Sequence, residues 1–304
     1  MEDRCNAMLD HTVTKPAALA VGMLRRAGKA PILAIDEHKI PRYDKNPDMK
    51  YLKNSKYEKG TFTFEVYTTC KLVVKKGVAV HLAGNSTFRG DEQPDLVRKL
   101  LQKCIDQGVL PYIGGKRSTV LVDRGFYSAE VMSTIDDMGF AFIMPAVKND
   151  GKKAAIAQYV QGQWPTVSLY KIKSADGKRF TFRLIIKKNP KKSDSDNIFD
   201  WYHVFATTLR CSSYAKLLEY VPNEYRNRWD IETGYRCAKS VRLRTCSKNP
   251  IIRLALFYIS LAICNIWMAI RNLPDPKAQG IMLQVRIPSG PKHFDQYAGT
   301  TTPH

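Results

Sequence analysis

The spacing of apolar positions changes several times along the chain, and each change marks an element. Ala17–Ala27 has helical spacing and stops at Gly28. Pro31–Ile35 is a compact apolar run that breaks off at Asp36-Glu37-His38-Lys39, the pattern of a fully buried strand delivering a carboxylate at its end. Residues 41–60 are polar, carry Pro41 and Pro47, and read as a loop. Thr61–Val74 is rich in β-branched and aromatic residues, and Gly77 separates it from Val78–Leu82, so these two strands and the first form a meander. Residues 91–107 follow as a helix, with Asp91 and Glu92 near its start and Leu96, Val97, Leu100, Leu101 and Ile105 behind. Thr119–Val122 is a second buried strand and ends in Asp123-Arg124-Gly125. Ser128 then caps a helix running to Met138, and Phe140–Met144 is a fifth strand.

Three strands, a helix, a strand, a helix and a strand is the element order of a ribonuclease H-like core, an α/β fold with a mixed sheet flanked by helices. The pattern then changes. Over residues 145–210 the alternating segments Val167–Lys173 and Arg179–Lys187 flank an Asp176-Gly177 turn, and a further strand follows at Tyr202–Thr207. Helical periodicity returns at Ser213, and a long apolar helix starts at Ile251. The expected organisation is a helical remnant (1–30), the first part of the core (31–144), a β-rich insertion (145–210), the C-terminal core helices (211–272) and an irregular tail (273–304). Leu254–Ile270 approaches the length of a membrane span, but Ser260 and Asn265 interrupt it and Arg253 and Arg271 flank it, so a buried core helix and no membrane association are expected.

Charge narrows the function. A formal charge of +20 is too large for an ordinary metabolic enzyme and points to a polyanion. The cations are spread along the chain and not packed into one amphipathic segment, which favours nucleic acid over a membrane surface. The seven cysteines contain no CxxC pair and read as reduced, intracellular core residues. The histidines do not cluster with them, which argues against zinc.

Three carboxylates stand out by placement: Asp36 and Asp123 at the ends of buried strands, and Glu232 on a charged helix stripe. Tyr225, Arg228, Glu232 and Lys239 fall at offsets 0, 3, 7 and 14. On a helix these lie within an arc of roughly 60°, and Arg236 joins the same stripe. Taken singly, an Asp after a strand is usually a turn residue or a cap, and a charged stripe is usually a solvated face. Together, strand ends on one sheet edge and a helix packed on that sheet bring three acids to one place. Crowded carboxylates repel unless divalent cations neutralise them, and an all-oxygen donor set suits Mg²⁺ or Mn²⁺. Two such ions roughly 3.5–4 Å apart serve in-line phosphoryl displacement, with the cations of the stripe on phosphate oxygens. Glu37 points to the opposite side of its strand from Asp36 and is not expected to be a ligand. The basic segment Lys171–Lys192, including Lys187 and Lys188, is either a solvated surface or a phosphate-tracking one.

Tyr225-x2-Arg228-x3-Glu232-x6-Lys239 resembles the Y-R-E-K signature of DDE transposases of insertion-sequence family four. Asp123-Arg124-Gly125-Phe126-Tyr127 is similar to that family's second-aspartate motif, and Ile35-Asp36 to its first, so the resemblance covers roughly residues 31–272. It implies a ribonuclease H-like fold with a β-strand insertion before the glutamate-bearing helix. It also implies metal-dependent cleavage and strand transfer at the ends of a mobile element. Asp36, Asp123 and Glu232 would be the ligands of two Mg²⁺ or Mn²⁺ ions. Tyr225, Arg228 and Lys239 would grip phosphates beside a flipped base, on which Trp164 or Trp201 would stack; Arg236, from its place on the stripe, would join them on the phosphates. The partners implied are double-stranded DNA, as transposon ends and target, and a homodimer formed on it; the location is cytoplasmic and DNA-associated. Family members usually carry a helical end-recognising domain before the first aspartate, and only 35 residues precede Asp36, so a copy without that domain is expected. The competing functions are a truncated or domesticated DNA-binding protein without transposition activity, and a ribonuclease H-like nuclease that has no need of the phosphate clamp.

Overall fold

The computed structural model describes residues 21–22, 24, 26–43, 52–75, 78–189, 197–227, 243 and 245–271. Eleven strands and five helices are used below. They are β1 (Ile32–Pro41), β2 (Lys53–Glu58), β3 (Thr61–Lys75), β4 (Val78–Thr87), α1 (Gln93–Asp106), β5 (Tyr112–Ile113), β6 (Lys116–Arg117), β7 (Thr119–Val122), α2 (Ala129–Asp137), β8 (Ala141–Pro145), α3 (Asp150–Val160), β9 (Val167–Lys173), β10 (Arg179–Lys188), β11 (Tyr202–Thr207), α4 (Tyr214–Asn227) and α5 (Pro250–Arg271).

One mixed sheet organises the chain, in the order β2-β3-β1-β7-β8-β11-β10-β9, with β4 also paired to β3. β1, β7 and β8 run parallel, and the pairings outside them are antiparallel. This is the expected mixed α/β sheet flanked by helices, consistent with a ribonuclease H-like core. The central strand Thr119–Val122 is wholly buried, covered by helices on both faces of the sheet.

The two sheet faces carry separate cores. Leu33, Ile35, Val120, Val122 and Phe142 face α1 and α2, which contribute Val97, Leu100, Leu101, Val131, Met132 and Ile135. Ala34, Leu121, Ile143, Ile185 and Phe205 face Leu217 and Val221 of α4. Local signals set the ends of these elements. The Ser128 hydroxyl accepts from the Val131 amide and starts α2, as expected. Gly28 (φ +60°) closes the N-terminal helical turn, with the Lys29 amide bonded to the Leu24 carbonyl.

The structure differs from the sequence reading in four places. β1 does not stop at Ile35: it continues to Pro41, because β3 pairs with it along the whole length, from Ile32↔Val73 to Pro41↔Phe64. The 41–60 stretch contains β2, a polar edge strand turned back by Lys59 and Gly60, both at positive φ. Within 145–210 lies α3, a helix with no marked apolar stripe of its own. The strands of that stretch also join the main sheet, through β11 on β8. The tail from 272 lies outside the described residues.

α5 is long and apolar enough to span a membrane. One side of it is nevertheless docked on β4. Asn265 Oδ1 accepts from the His81 amide (2.8 Å) and its Nδ2 donates to the His81 carbonyl (2.9 Å), while the Tyr258 hydroxyl donates to the Gly84 carbonyl (2.8 Å). Those are the contacts of a helix packed on a sheet.

Candidate active site

The parallel register Ile35↔Val122 brings the two aspartates together. Asp36 and Asp123 each come one residue later, on adjacent strands whose axes are about 4.8 Å apart. Asp36 shares a strand face with Ala34, two residues before it, and Asp123 shares one with Leu121. Both therefore sit on the α4 side of the sheet, at the line where β7 ends. Asp36 is half-buried within β1, in register with Thr69, and its Oδ1 accepts from the Glu37 amide (2.9 Å). Asp123 is half-buried and caps the short 3-10 turn Arg124–Phe126, its Oδ1 accepting from the Arg124 amide (2.6 Å). Glu37 is committed elsewhere, to Lys53 (3.2 Å).

Two helices flank this pair on the same face. α4 packs over β8 and β11, and its Tyr225 ring lies 5.5 Å from Phe205. On the other side, Phe257 of α5 stacks on Tyr67 (4.1 Å) and on His38 (5.9 Å), and β1 alternation puts His38 on the face of Asp36. The chain returning to α5 is tied there too, by the Leu243 amide on Ser260 Oγ (3.2 Å). So the described residues on either side of the 228–242 segment, Tyr225 and Leu243, are held by elements on the aspartate face of the sheet.

Glu232, Arg228, Arg236 and Lys239 belong to that segment and lie outside the described residues, as do Lys191 and Lys192. Among the described residues no three His, Cys, Asp or Glu side chains form a metal-binding group. Two adjacent carboxylates are nonetheless an all-oxygen donor set that fits a hard divalent cation. Tyr225 is half-buried and part of the α4 packing. Trp164 is partly buried against the core, and its indole N–H donates to Ser168 Oγ (3.0 Å), so it is a packing residue. Lys187 and Lys188 are consecutive on β10 and take opposite faces; Lys187 is level with His203 and shares the aspartate side.

A buried lysine lies against Tyr127, four residues after the second aspartate. Lys152 is 1% exposed, its Nζ 4.7 Å from the centre of the Tyr127 ring and 5.3 Å from that of Tyr170, and it donates to Asn149 Oδ1 (2.9 Å). Burial pushes its pKa down to about 8 from the ordinary 10.5, while the two rings favour the ammonium form. The unfolded chain therefore holds this proton over a pH range where the native protein has released it. Lys152 makes stability rise with pH between about 8 and 10.5, and below that window its contribution is constant. Between pH 8 and 9.5, wild type should gain about 1–2 kcal/mol relative to Lys152→Met in urea denaturation. Parallel pH profiles for the two proteins would show that Lys152 does not titrate there.

The sheet is a mixed α/β sheet flanked by helices that aligns Asp36 and Asp123 at the end of a parallel strand pair. Over residues 27–266 the chain matches the family described as Transposase DDE domain, and it belongs to that family. No curated protein matches the chain. The function is accordingly of the transposase type, with DNA as the general substrate.

Proposed function

We infer that the protein is a transposase of insertion-sequence family four that cleaves DNA at the ends of its element and transfers the freed strand to a target. The observation that carries this reading is the adjacency of Asp36 and Asp123 on one sheet face, which also carries the helices on either side of residues 228–242. In this reading Asp36, Asp123 and Glu232 would hold two Mg²⁺ or Mn²⁺ ions, which would supply Lewis acidity for phosphoryl transfer. Arg228, Arg236 and Lys239 hold phosphates of the transposon end. Tyr225, anchored on Phe205, aims the start of that segment and contributes its hydroxyl. Lys187 adds a cation on the same side, whereas Lys188 turns away. Residues 145–210 act as an insertion that widens the DNA-facing surface, and synapsis of two ends would form a homodimer on DNA.

Linear DNA carrying the element's ends, incubated with the protein and Mg²⁺ or Mn²⁺, should be nicked at those ends and left intact when the metal is chelated. Tight binding of the ends without any metal-dependent cleavage would overturn this reading in favour of a DNA-binding protein without transposition activity. Cleavage that ignores end sequence would favour a general nuclease.

A further inference from the structure

The β9–β10 hairpin is two-faced. Tyr170, Ile172, Phe180, Phe182, Leu184 and Ile186 turn towards the α1–α2 core. The alternate positions on the other side carry Lys171 and Lys173 on β9 and Arg179 and Arg183 on β10. Arg179 is directly opposite Lys173, and Arg183 is diagonal to Lys171. Like charges opposite one another across a ladder destabilise a sheet. Among the described residues, no carboxylate pairs with any of the four; the nearby turn acid, Asp176, is held by Lys178 (2.9 Å) and Ser174. Lysines on a sheet edge can be explained as protection against edge-to-edge pairing, and β9 is such an edge. That explanation fails for Arg183, which is paired on both sides, to Leu169 of β9 and to Thr207 of β11; Arg179 lies past the end of the β10–β11 ladder. Leu169, in register with Arg183 and next to Lys171 on this face, is 66% exposed.

We propose that this face of the hairpin is a seat for the phosphate backbone of duplex DNA, and that its four cations contact the duplex away from the point of cleavage. The proposal rests on the DNA-cleaving reading above and names where that substrate lies. The face is on the same side of the sheet as Asp36 and Asp123, three and four strands along from β7. Strand spacing and rise put its cations about 16 to 28 Å from the aspartate pair, too far to touch the reacting phosphate. At 3.4 Å per base pair this is about five to eight base pairs from the cut. A bound polyanion neutralises the Arg179–Lys173 repulsion, and Leu169 contributes apolar contact with sugar.

Binding and stability should respond to substitution with opposite signs. In the full chain, Lys173→Thr with Arg179→Thr should weaken binding to a 30-base-pair duplex by tenfold or more at about 150 mM salt. It should also lower the slope of log K against log salt by about 2, the value for two lost phosphate contacts. The thermal midpoint should stay the same or rise, since the repelling pair is gone and Thr suits a strand. Lys188→Thr, on the opposite face, should leave the slope unchanged. A double variant with the wild-type slope, or one whose affinity and midpoint fall together, overturns the proposal; metal-dependent end cleavage would still support the enzyme. A wild-type protein that binds no duplex overturns both.

Discussion

Asp36→Asn and Asp123→Asn should each reduce metal-dependent DNA cleavage about a thousandfold, equivalent to about 4 kcal/mol of transition-state stabilisation. Asn is the informative replacement because it removes charge and keeps shape. The Asp36 oxygen that accepts from the Glu37 amide has a counterpart in Asn, and so has the Asp123 oxygen that caps the Arg124–Phe126 turn. Asn is as good a cap as Asp, so the fold should survive. Without metal, each variant should be slightly more stable than wild type, since two adjacent carboxylates repel. Addition of Mn²⁺ should raise the thermal midpoint of wild type and have much less effect on either variant. Equal midpoint shifts in all three proteins, or undiminished cleavage, would remove these residues from the metal site. Glu232→Gln tested in parallel asks whether the third acid behaves like the other two.

Glu65→Ala should cost about 3–5 kcal/mol of folding stability, a large fraction of what a domain of this kind possesses. Glu65 is 5% exposed and sits between two guanidinium groups. Arg42, 7% exposed, pairs with it directly, and Arg253 approaches to 3.5 Å from the first turn of α5. Tyr67 also reaches it at 3.5 Å, and burial together with this carboxylate pushes the Tyr67 phenol well above its usual range. Removing the acid takes a buried counter-charge away from two guanidinium groups that have little access to water. Glu65→Gln, which keeps hydrogen-bond capacity without the charge, should fall between wild type and Ala in chemical denaturation. The cluster joins the β1–β3 end of the sheet to the start of α5, where the chain returns from the 228–242 segment. Loss of Glu65 should therefore also depress cleavage in protein that is still folded. A cost below about 1 kcal/mol would mean that solvent reaches the guanidinium groups more freely than their burial indicates.

Elements with a core face on a regular period were readable in the sequence. Thr119–Val122 is apolar throughout because it is buried on both faces, and α2 announces itself by the Ser128 cap. β2 was not readable. Lys-Asn-Ser-Lys-Tyr-Glu has no core face and becomes a strand only because the Lys59–Gly60 turn lays it on β3. The length of β1 was hidden for a related reason. Its second half mixes Glu37 and Lys39 with His38 and Ile40, and these polar residues are matched by partners distant in sequence, Lys53 and Ser55. The Asp36–Asp123 convergence could be anticipated from two buried runs that each end at an aspartate. Their alignment could not, because register is a property of the assembled sheet. The cationic side of β9–β10 had a visible signal, basic residues alternating with aromatic and aliphatic ones. Its direction relative to the aspartates came only with β11 docking on β8.

The continuation of β1 beyond β7 makes the two acids mechanically unequal. Asp36 is embedded in a ladder with β3 that extends five residues past it, to Pro41↔Phe64, whereas Asp123 stands at the head of a three-residue turn that includes Gly125. One jaw of the vice is bolted to the bench and the other rides on a spring. In the proposed reaction, any adjustment in spacing between the two acids would come from the Asp123 side, with Asp36 as the fixed origin against which it is made.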